Sequence, residues 1–282
     1  MLSRDVIRRI AGSSAAAQRR EAPFLAHGST RGDLLRYMRQ HSYRHIFGDA
    51  RECAPLLALL ERVRLPRAVL DILGFFRRND RYTYRHILIV TALTGLFAQS
   101  MGKDLRDAFL ESSAGPLHDL GKISVPLKIL RKTKPLLRTE RDWLEHHTTA
   151  GYVLLAYYLG KPAALPCVVA RDHHERRDGS GYPRGIPLAE PLVEIVVACD
   201  VYDALISPRP YRTQSFDNRT AIEEITSMAE AGKIGWDVVR FLVSRNREHR
   251  PPLEECTVSL EKRGRPPKGN LYGVILDEDP PA

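Results

Sequence analysis

The chain has 282 residues and a net charge of +9, and 43% of its residues are hydrophobic, 27% charged and 7% aromatic. These fractions are typical of a globular protein and exclude collagen-like, low-complexity and wholly disordered chains. No run approaches the roughly 18 unbroken apolar residues that a membrane-spanning helix needs. The four scattered cysteines form no CxxC pair, which indicates a reducing cytoplasm. We therefore expect one large or two small domains without a membrane span.

Apolar residues recur at spacings of three and four along most of the chain, which predicts an all-α protein. Breakers such as Gly48, Pro66 and Gly160 divide this pattern into segments. The predicted helices cover 33–46, 54–63, 66–76, 84–99, 105–120, 139–159, 164–174, 192–206, 219–231 and 236–245. Near the C-terminus, apolar and polar residues alternate over 257–261, and an apolar run covers 271–276. Together these two segments predict a small β-hairpin.

Positive charge is concentrated at the N-terminal end. Residues 1–80 contain 15 arginines, no lysine and 8 acidic residues, which accounts for seven of the nine net charges. Such a surface attracts nucleic acid, an anionic membrane or an acidic protein, although a solvated helical surface explains it more simply. No zinc-finger, RNP-type or basic-zipper pattern accompanies the charge, so no nucleic-acid polymer is expected. The region remains a candidate docking surface for a protein partner or a second copy, and the sequence leaves the oligomeric state open.

Five of the ten histidines recur together with two carboxylates at regular intervals. The gaps between successive predicted helices that carry them are 26 to 32 residues, so each helical hairpin can return one or two side chains to the same interior point. Taken singly, each of these histidines has an ordinary structural explanation, and it is their joint occurrence that indicates a metal site. The set comprises His86, His118, Asp119, His147, His173, His174 and Asp200.

The residue types in this set indicate the kind of metal. Asp200 interrupts the apolar run 193–206, where a lone buried carboxylate is costly unless a cation neutralises it. Asp203 is the alternative carboxylate, or else a hydrogen-bond partner behind the ligands or a helix-surface contact. Imidazoles with carboxylates suit Fe, Mn, Zn or Ni rather than an all-oxygen Mg or Ca cage. Seven ligands exceed the needs of one catalytic ion, so two ions sharing Asp119 fit better, as in displacement at phosphorus.

The segments that contain these residues resemble the HD-GYP family, a branch of the HD-superfamily phosphohydrolases associated with hydrolysis of bacterial cyclic di-GMP. The combination of HHExxDGxGYP with HDxGK is highly specific. The matching strings are 82–86, 117–123, 147–151, 173–183, 198–205 and 209–212. The resemblance implies an HD-type helical bundle around a binuclear metal site. It divides the chain into a small helical N-terminal region (1–79), a catalytic domain (80–247) and a C-terminal tail (248–282).

The resemblance also implies roles for the metal ligands. It makes the seven residues above the ligands of two divalent transition-metal ions, iron or manganese, with Asp119 bridging them. In relatives with a third ion, a glutamate stands four residues before the first histidine. Here that position is Tyr82, so the resemblance implies two ions. The Ser and Arg of the HSxRV string in many relatives are absent after His86, which would alter hydrogen bonding behind the ligands.

The substrate contacts implied by the resemblance involve four further residues. Lys122 would contact a substrate phosphate, and a surface lysine is the alternative explanation. Arg209 and Arg212 would grip the phosphodiester or its guanine, for which a planar guanidinium is suited. Tyr182, in a Gly-flanked loop, would lie over a base or hydrogen-bond near the phosphate. The implied reaction converts cyclic di-GMP to pGpG, GMP or both. A non-hydrolytic binding or regulatory module and a phosphohydrolase acting on another nucleotide are the alternatives.

Overall fold

Helices make up most of the described chain, which confirms the all-α class. The computed structural model describes residues 20–26, 29–208, 214–268 and 275–276. The α-helices are α1 (Thr30–Met38), α2 (Arg44–Phe47), α3 (Ala50–Glu61), α4 (Arg67–Asn79), α5 (Arg81–Ser100), α6 (Lys103–Ser112), α7 (Ala114–Leu117), α8 (Leu127–Leu130), α9 (Arg138–Glu145), α10 (His147–Leu159), α11 (Leu165–Asp172), α12 (Pro191–Ile206), α13 (Asn218–Glu230) and α14 (Trp236–Arg245). Short 3-10 turns cover His41–Tyr43, Leu120–Ser124 and Leu253–Glu255.

Helix α5 is the centre of the core. Asp80 caps its N-terminus by accepting a hydrogen bond from the backbone N–H of Thr83 at 3.2 Å. Every side chain from His86 to Ala98 is buried, and α3, α4, α6, α7 and α12 pack around the helix. A helix that is apolar all round is buried on all sides, and α5 fits this pattern apart from a few polar residues such as His86, Thr91 and Thr94. None of the helices within the described residues is long and apolar enough to cross a membrane.

Three of the predicted helices are interrupted. The predicted helix over 33–46 ends at Met38 and is followed by a 3-10 turn and α2. The other two interruptions lie shortly before a candidate ligand. The predicted helix over 105–120 breaks at Ser113, whose left-handed backbone (φ 48°, ψ 42°) separates α6 from α7. The predicted helix over 139–159 divides at His146 into α9 and α10. Each of these two breaks changes the direction of the chain. As a result, His118 follows α7 and His147 is the first residue of α10.

Four short strands lie within the described residues, and they correct the sequence-based interpretation. Strand β1 (Glu21–Pro23) pairs antiparallel with β2 (Arg64–Pro66). Strand β3 (Leu136–Leu137) pairs in parallel with β4 (Ile275–Leu276). Residues 257–261 form no strand, so the predicted C-terminal hairpin is wrong. Of its second arm, residues 271–274 lie outside the described residues, and 275–276 form β4, which pairs with β3.

Arg247 and Glu223 bind three backbone groups of the tail. Arg247 donates from Nη2 to the carbonyl oxygen of Thr257 at 2.7 Å. The carboxylate of Glu223, on α13, accepts from the backbone N–H groups of Arg263 at 3.1 Å and Gly264 at 2.8 Å. These three backbone groups are thus satisfied by side chains and not by a neighbouring strand.

The N-terminal segment shares the core of the rest of the chain. Leu34, Ile46 and Leu60 are buried in the same hydrophobic cluster as the side chains of α5. Tyr43, just before α2, is also buried there, with 1% of its surface exposed. The division of the chain into regions 1–79, 80–247 and 248–282 stays a prediction.

Candidate metal centre

One group of potential metal ligands joins three separate parts of the bundle. His86 lies on α5, His118 follows α7, and Asp200 lies on α12. The Nε2 atom of His86 is 3.4 Å from Nε2 of His118 and 3.0 Å from Oδ1 of Asp200. One potential ligand atom of each residue lies within 4.8 Å of those of the other two. Both imidazoles are almost fully buried.

A second group consists of three imidazoles. His147 begins α10, and His173 and His174 follow the end of α11. The Nε2 atoms of His147 and His173 are 3.2 Å apart, and the ligand atoms of all three residues lie within 4.8 Å of one another. His173 is fully buried and His147 is 1% exposed.

Asp119 lies between the two groups, with one carboxylate oxygen towards each. Its Oδ2 atom is 3.4 Å from Nε2 of His86 and 3.5 Å from Nε2 of His118. Its Oδ1 atom is 3.4 Å from Nε2 of His147 and 3.8 Å from Nε2 of His173. The structure thus brings together all seven residues that the sequence singled out, with Asp119 between the two groups.

Backbone carbonyls fix the orientation of three of the imidazoles. A ring nitrogen that donates its hydrogen to a carbonyl leaves the other nitrogen of the neutral ring with a free lone pair. In each of these rings Nδ1 faces the carbonyl, so Nε2 presents its lone pair to the centre. The pairs are His118 with Gly115 (2.6 Å), His173 with Ala170 (3.1 Å), and His147 with Leu144.

His86 has a carboxylate in place of a carbonyl. Its Nδ1 atom is 2.6 Å from Oδ2 of Asp203, which is fully buried. The other oxygen of Asp203 accepts hydrogen bonds from Ser207 Oγ at 3.0 Å and from the hydroxyl of Tyr43. Arg85 Nη2 is 3.6 Å from Asp203 Oδ2. Asp203 therefore lies behind His86 rather than in the ligand set, as one of the sequence-based alternatives held.

Tyr43, Arg85 and Ser207 are the members of the site that sequence reasoning missed. Their residue types are common and their spacings to the histidines follow no motif, so the sequence carried no signal for them. Arg85 precedes His86 directly, but its role becomes visible only once α12 brings Asp203 beside it.

The three imidazoles of the second group are held neutral. Burial lowers the pKa of His147 to about 4. Burial, followed by the neighbouring charge of His147, holds the pKa of His173 well below its usual range. The pKa of His174 lies well below its usual range because of burial and the charge of His173. Neutral imidazoles are the form that binds metals.

The carboxyl groups are held ionised. Burial disfavours the charge on Asp119, but the charges of Lys122 and His118 outweigh burial and hold its pKa well below the usual range. Burial likewise opposes the charge on Asp200, and the hydrogen bond from His86 holds its pKa well below the usual range. A donor set of imidazoles and ionised carboxylates fits a pair of divalent transition-metal ions.

His86 differs from the other imidazoles in its protonation. Burial disfavours its charged form, but the hydrogen bonds to Asp200 and Asp203 outweigh burial and raise its pKa. A divalent ion at this position would take the place of a proton, because ligating imidazole must be neutral. Tyr82, which stands where some relatives have a glutamate, stacks on the ring of His86 with centroids 6.2 Å apart.

The 3-10 turn Leu120–Ser124, which directly follows His118 and Asp119, lies against the helix that begins with His147. A Cβ atom on Gly121 would lie 1.8 Å from the carbonyl oxygen of His147 and 2.4 Å from the backbone nitrogen of Gly151. Any side chain at position 121 would therefore clash with the backbone of α10. Lys122, next along the turn, reaches back so that its Nζ atom is 2.6 Å from Oδ2 of Asp119.

The loop that contains Gly181, Tyr182 and Pro183, called the GYP loop below, is held by a buried carboxylate. Glu175 is fully buried and accepts from the backbone N–H groups of Arg184 at 2.7 Å and Ile186 at 3.2 Å. The ring of Tyr182 stacks on His174, with centroids 4.5 Å apart and an interplanar angle of 16°. Tyr182 is thus at the edge of the second histidine group. Arg209 and Arg212 lie outside the described residues.

Comparisons with known proteins point to one family. A family model described as "HD domain" matches residues 34–238. The chain is 38% identical over 216 residues to a cyclic di-GMP phosphodiesterase of Thermotoga maritima, covering 75% of this chain and 52% of that protein. It is 36% identical over 172 residues to the cyclic di-GMP phosphodiesterase PA4108 of Pseudomonas aeruginosa, covering 60% of this chain and 40% of that protein.

A relative with a different printed substrate also matches. The chain is 34% identical over 136 residues to a 3'3'-cGAMP-specific phosphodiesterase of Vibrio cholerae, covering 48% of this chain and 31% of that protein. The chain therefore spans about half, or less, of the length of these curated relatives. Since the family model covers more than half of the sequence, and the HD and GYP segments both occur in it, the chain belongs to the HD domain family, in its HD-GYP branch.

Proposed function

We propose that the chain is a metal-dependent phosphodiesterase that opens a cyclic dinucleotide, with cyclic di-GMP as substrate and pGpG, GMP or both as products. The observation that carries this proposal is the position of Asp119, whose two carboxylate oxygens face different histidine groups. Two of the three relatives described above are named cyclic di-GMP phosphodiesterases, which supports the substrate class.

Two divalent transition-metal ions, iron or manganese, are the proposed cofactors. When bound, such a pair supplies positive charge beside the attacked phosphorus and lowers the pKa of water. Asp200 is the proposed carboxylate ligand rather than Asp203, because Asp203 is engaged with Nδ1 of His86. One ion would be held by His86, His118 and Asp200, the other by His147, His173 and His174, and Asp119 would be shared.

Lys122 is the proposed contact for a non-bridging phosphate oxygen. Its side chain is 18% exposed, and its ammonium group is held 2.6 Å from Asp119. The cation is therefore positioned at the boundary between the buried centre and solvent, where a phosphate would enter. A fixed charge there stabilises the negative charge that develops on phosphate oxygens during displacement.

The remaining proposed substrate contacts are Tyr182, which lies beside the second histidine group, and Arg209 and Arg212, which follow α12 in the sequence. Because the ring of Tyr182 packs on His174, we propose that it contacts the phosphodiester or a base. Arg209 and Arg212 are proposed to grip the phosphodiester or guanine. This last assignment rests on the family resemblance of residues 209–212.

A mixed cyclic dinucleotide is the second candidate substrate, and the relative named as specific for 3'3'-cGAMP is the observation that favours it. We further propose that the reaction takes place in the bacterial cytoplasm. The arginine-rich N-terminal region is the proposed docking surface for a protein partner.

A side-by-side assay tests the proposal. Purified protein loaded with Mn²⁺ or Fe²⁺ is incubated with cyclic di-GMP, 3'3'-cGAMP and cyclic di-AMP, and its metal content is measured by mass spectrometry. We expect hydrolysis of cyclic di-GMP and two ions per chain. Asp119→Ala should lose hydrolysis and most of the metal, whereas Asp107→Ala, at an exposed carboxylate on α6, should retain both.

Two outcomes would contradict parts of this assignment. Two bound ions without hydrolysis of any of the three compounds would indicate a non-hydrolytic binding module. Full hydrolysis by Asp119→Ala would contradict the shared role of that carboxylate.

A further inference from the structure

The GYP loop and helix α12 are connected to different ligand groups of the candidate centre. His174, at the start of the loop, belongs to the second group, whereas Asp200 lies on α12 and belongs to the first. Tyr182, further along the loop, stacks on His174. The position of the loop against α12 therefore affects how the two groups lie relative to one another.

A bidentate ion pair joins the loop to α12. Nε of Arg177, four residues before Gly181 in the loop, lies 2.6 Å from Oε1 of Glu194, and Nη2 of Arg177 lies 2.7 Å from Oε2. Glu194 is on α12, six residues before Asp200, and is buried. Two parallel N–H···O bonds fix the direction of a contact as well as its length, which a single contact with an ammonium group does not.

Glu194 also binds the connection between α13 and α14. Its Oε1 atom accepts from the backbone N–H of Gly235 at 2.8 Å. The backbone N–H of Arg177 donates to the carbonyl oxygen of Lys233, in the same connection, at 2.9 Å. Arg177 is therefore fixed by its side chain and by its backbone, and one carboxylate receives N–H groups from the loop and from the connection.

Gly235 leaves space for the guanidinium group. A Cβ atom at this position would lie 2.4 Å from Nη2 of Arg177 and 3.0 Å from Oε2 of Glu194. The backbone of Gly235 (φ −78°, ψ 158°) has a conformation that any residue adopts. A side chain at position 235 would therefore be excluded by the ion pair and not by the backbone.

The internal shape of the loop depends on other contacts. Glu175 accepts from the backbone N–H groups of Arg184 and Ile186, and the N–H of Tyr182 donates to the carbonyl oxygen of His174 at 3.2 Å. None of these three hydrogen bonds involves α12. Loss of the ion pair would thus leave the shape of the loop in place and release its attachment to the helix.

From these contacts we infer that Arg177 is a positioning residue of the metal centre. Its ion pair with Glu194 fixes where the GYP loop lies against the helix of Asp200, and this sets the separation of the two proposed ions. The inference rests on the proposed function, because displacement at phosphorus needs both ions at one phosphate. A half-exposed ion pair contributes little to stability, so its loss should appear in the geometry of the centre and not in unfolding.

Arg177→Met, loaded with Mn²⁺, tests this inference. The change removes the guanidinium group and keeps an unbranched side chain. The magnetic coupling between two Mn²⁺ ions, measured by electron paramagnetic resonance, depends on their separation, and we expect it to change. A small displacement of reacting groups can slow a reaction about 100-fold, so kcat should fall by about 10- to 100-fold and KM should change less. Arg31→Met is the matched control, since Arg31 pairs with Glu61 and is equally exposed.

Gly235→Ala is a second variant, which displaces the guanidinium group without removing either charge. It should change the magnetic coupling and kcat in the same direction as Arg177→Met. Gly32→Ala, on α1, is its control, because a Cβ atom there meets no other group within 4 Å. A further measurement needs no metal: hydrogen exchange at the backbone N–H of Arg177 should be faster in Gly235→Ala than in wild type, and unchanged in Gly32→Ala.

Two results would overturn the inference. Unchanged hydrogen exchange would show that the ion pair does not hold the loop, and unchanged magnetic coupling and kcat would show that the loop does not set the centre. If Arg177→Met fails to fold, as judged by circular dichroism, Gly235→Ala decides. Wild type that holds two Mn²⁺ ions without hydrolysis would contradict the proposed function, and the magnetic coupling would still decide on Arg177. Wild type that binds no pair of ions would contradict both.

Discussion

Tyr43 donates a hydrogen bond to Asp203, a carboxylate that lies 160 residues further along the chain. The other oxygen of Asp203 faces Nδ1 of His86 at 2.6 Å. The Tyr43 hydroxyl is also 2.8 Å from Ser207 Oγ and accepts from Nη1 of Arg85 at 3.0 Å. The N-terminal segment is therefore two hydrogen bonds away from a proposed metal ligand. Its contribution is to hold the carboxylate that orients His86.

Replacing Tyr43 with Phe should weaken the binding of one ion and spare the other. The change removes the hydroxyl while keeping the ring, so Asp203 can turn away from His86. Loss of a hydrogen-bond partner behind a ligand typically reduces metal affinity about 10- to 100-fold. Metal content after dialysis against a weak chelator should fall from two ions towards one.

The matched control for this change is Tyr158→Phe, at a buried tyrosine on α10. It should keep both ions. Equal metal loss in the two variants, or none in Tyr43→Phe, would show that the link between Tyr43 and Asp203 does not support the ligand.

Replacing Lys122 with Met should separate metal binding from hydrolysis. The change removes the ammonium group proposed to contact the phosphate but no proposed metal ligand. Loss of one such electrostatic contact lowers kcat by about 10²- to 10³-fold. Metal content should stay at two ions, and Lys128→Met, at an exposed lysine on α8, should leave kcat unchanged. A fall in metal content that matches the fall in rate would instead make Lys122 a support for Asp119.

Replacing Glu175 with Gln should loosen the GYP loop. The neutral side chain keeps one acceptor and turns an amide group towards the other backbone N–H. A hydrogen bond to a charged group contributes about 1.5–3 kcal/mol, so we expect the free energy of unfolding in urea to fall by about 2 kcal/mol. KM should rise more than kcat falls, because Tyr182 loses its support. Glu111→Gln, at an exposed glutamate on α6, should change neither quantity.

Asp217 should stabilise α13 in a manner that depends on pH. It caps the helix by accepting from the N–H of Thr220 at 2.9 Å and from its hydroxyl at 2.7 Å. Burial opposes the charge, but these hydrogen bonds outweigh it and lower the pKa of Asp217. Because the folded pKa is the lower one, the stabilisation is complete above the unfolded pKa and disappears as pH falls through the folded pKa.

Asp217→Ala should therefore lower the free energy of unfolding by about 1 kcal/mol at pH 7. The difference in the free energy of unfolding between the variant and the wild type should become smaller as the pH is lowered below about 4. Urea unfolding at several pH values measures both effects. A difference that stays constant or grows on acidification would contradict the ionised cap.

The positions of the helices could be predicted from the sequence because burial of one face imposes a spacing of three and four. The breaks inside three of them could not, and two of these breaks show why. Ser113 adopts its left-handed conformation without a glycine or proline to indicate it, and His146 divides α9 from α10 in a run that reads as continuous helix. These breaks depend on how the neighbouring helices pack.

The members of the candidate centre could also be singled out from the sequence, because histidines and carboxylates at intervals of one helical hairpin are unusual. Their role as ligands remains a prediction. The arrangement of Asp119 between two groups, and the contact of Tyr43 with Asp203, required the three-dimensional structure. A pair separated by 160 residues leaves no local pattern.

The tail was predicted wrongly for a physical reason. Alternating residues indicate a strand only if the backbone finds a strand partner. In the structure, Arg247 and Glu223 satisfy backbone groups near the two ends of the segment 257–264.

The close approach of Gly121 to the carbonyl oxygen of His147 fixes the distance between the two backbone segments that carry ligands of the centre. His118 and Asp119 are carried by one backbone and His147 by the other, and the two backbones touch without an intervening side chain. Rotamer changes can adjust the aim of the imidazoles, but they cannot alter how far apart the two main chains stand. A methyl group at position 121 would push these two backbone segments apart and so increase the distances between His118 or Asp119 and His147 together.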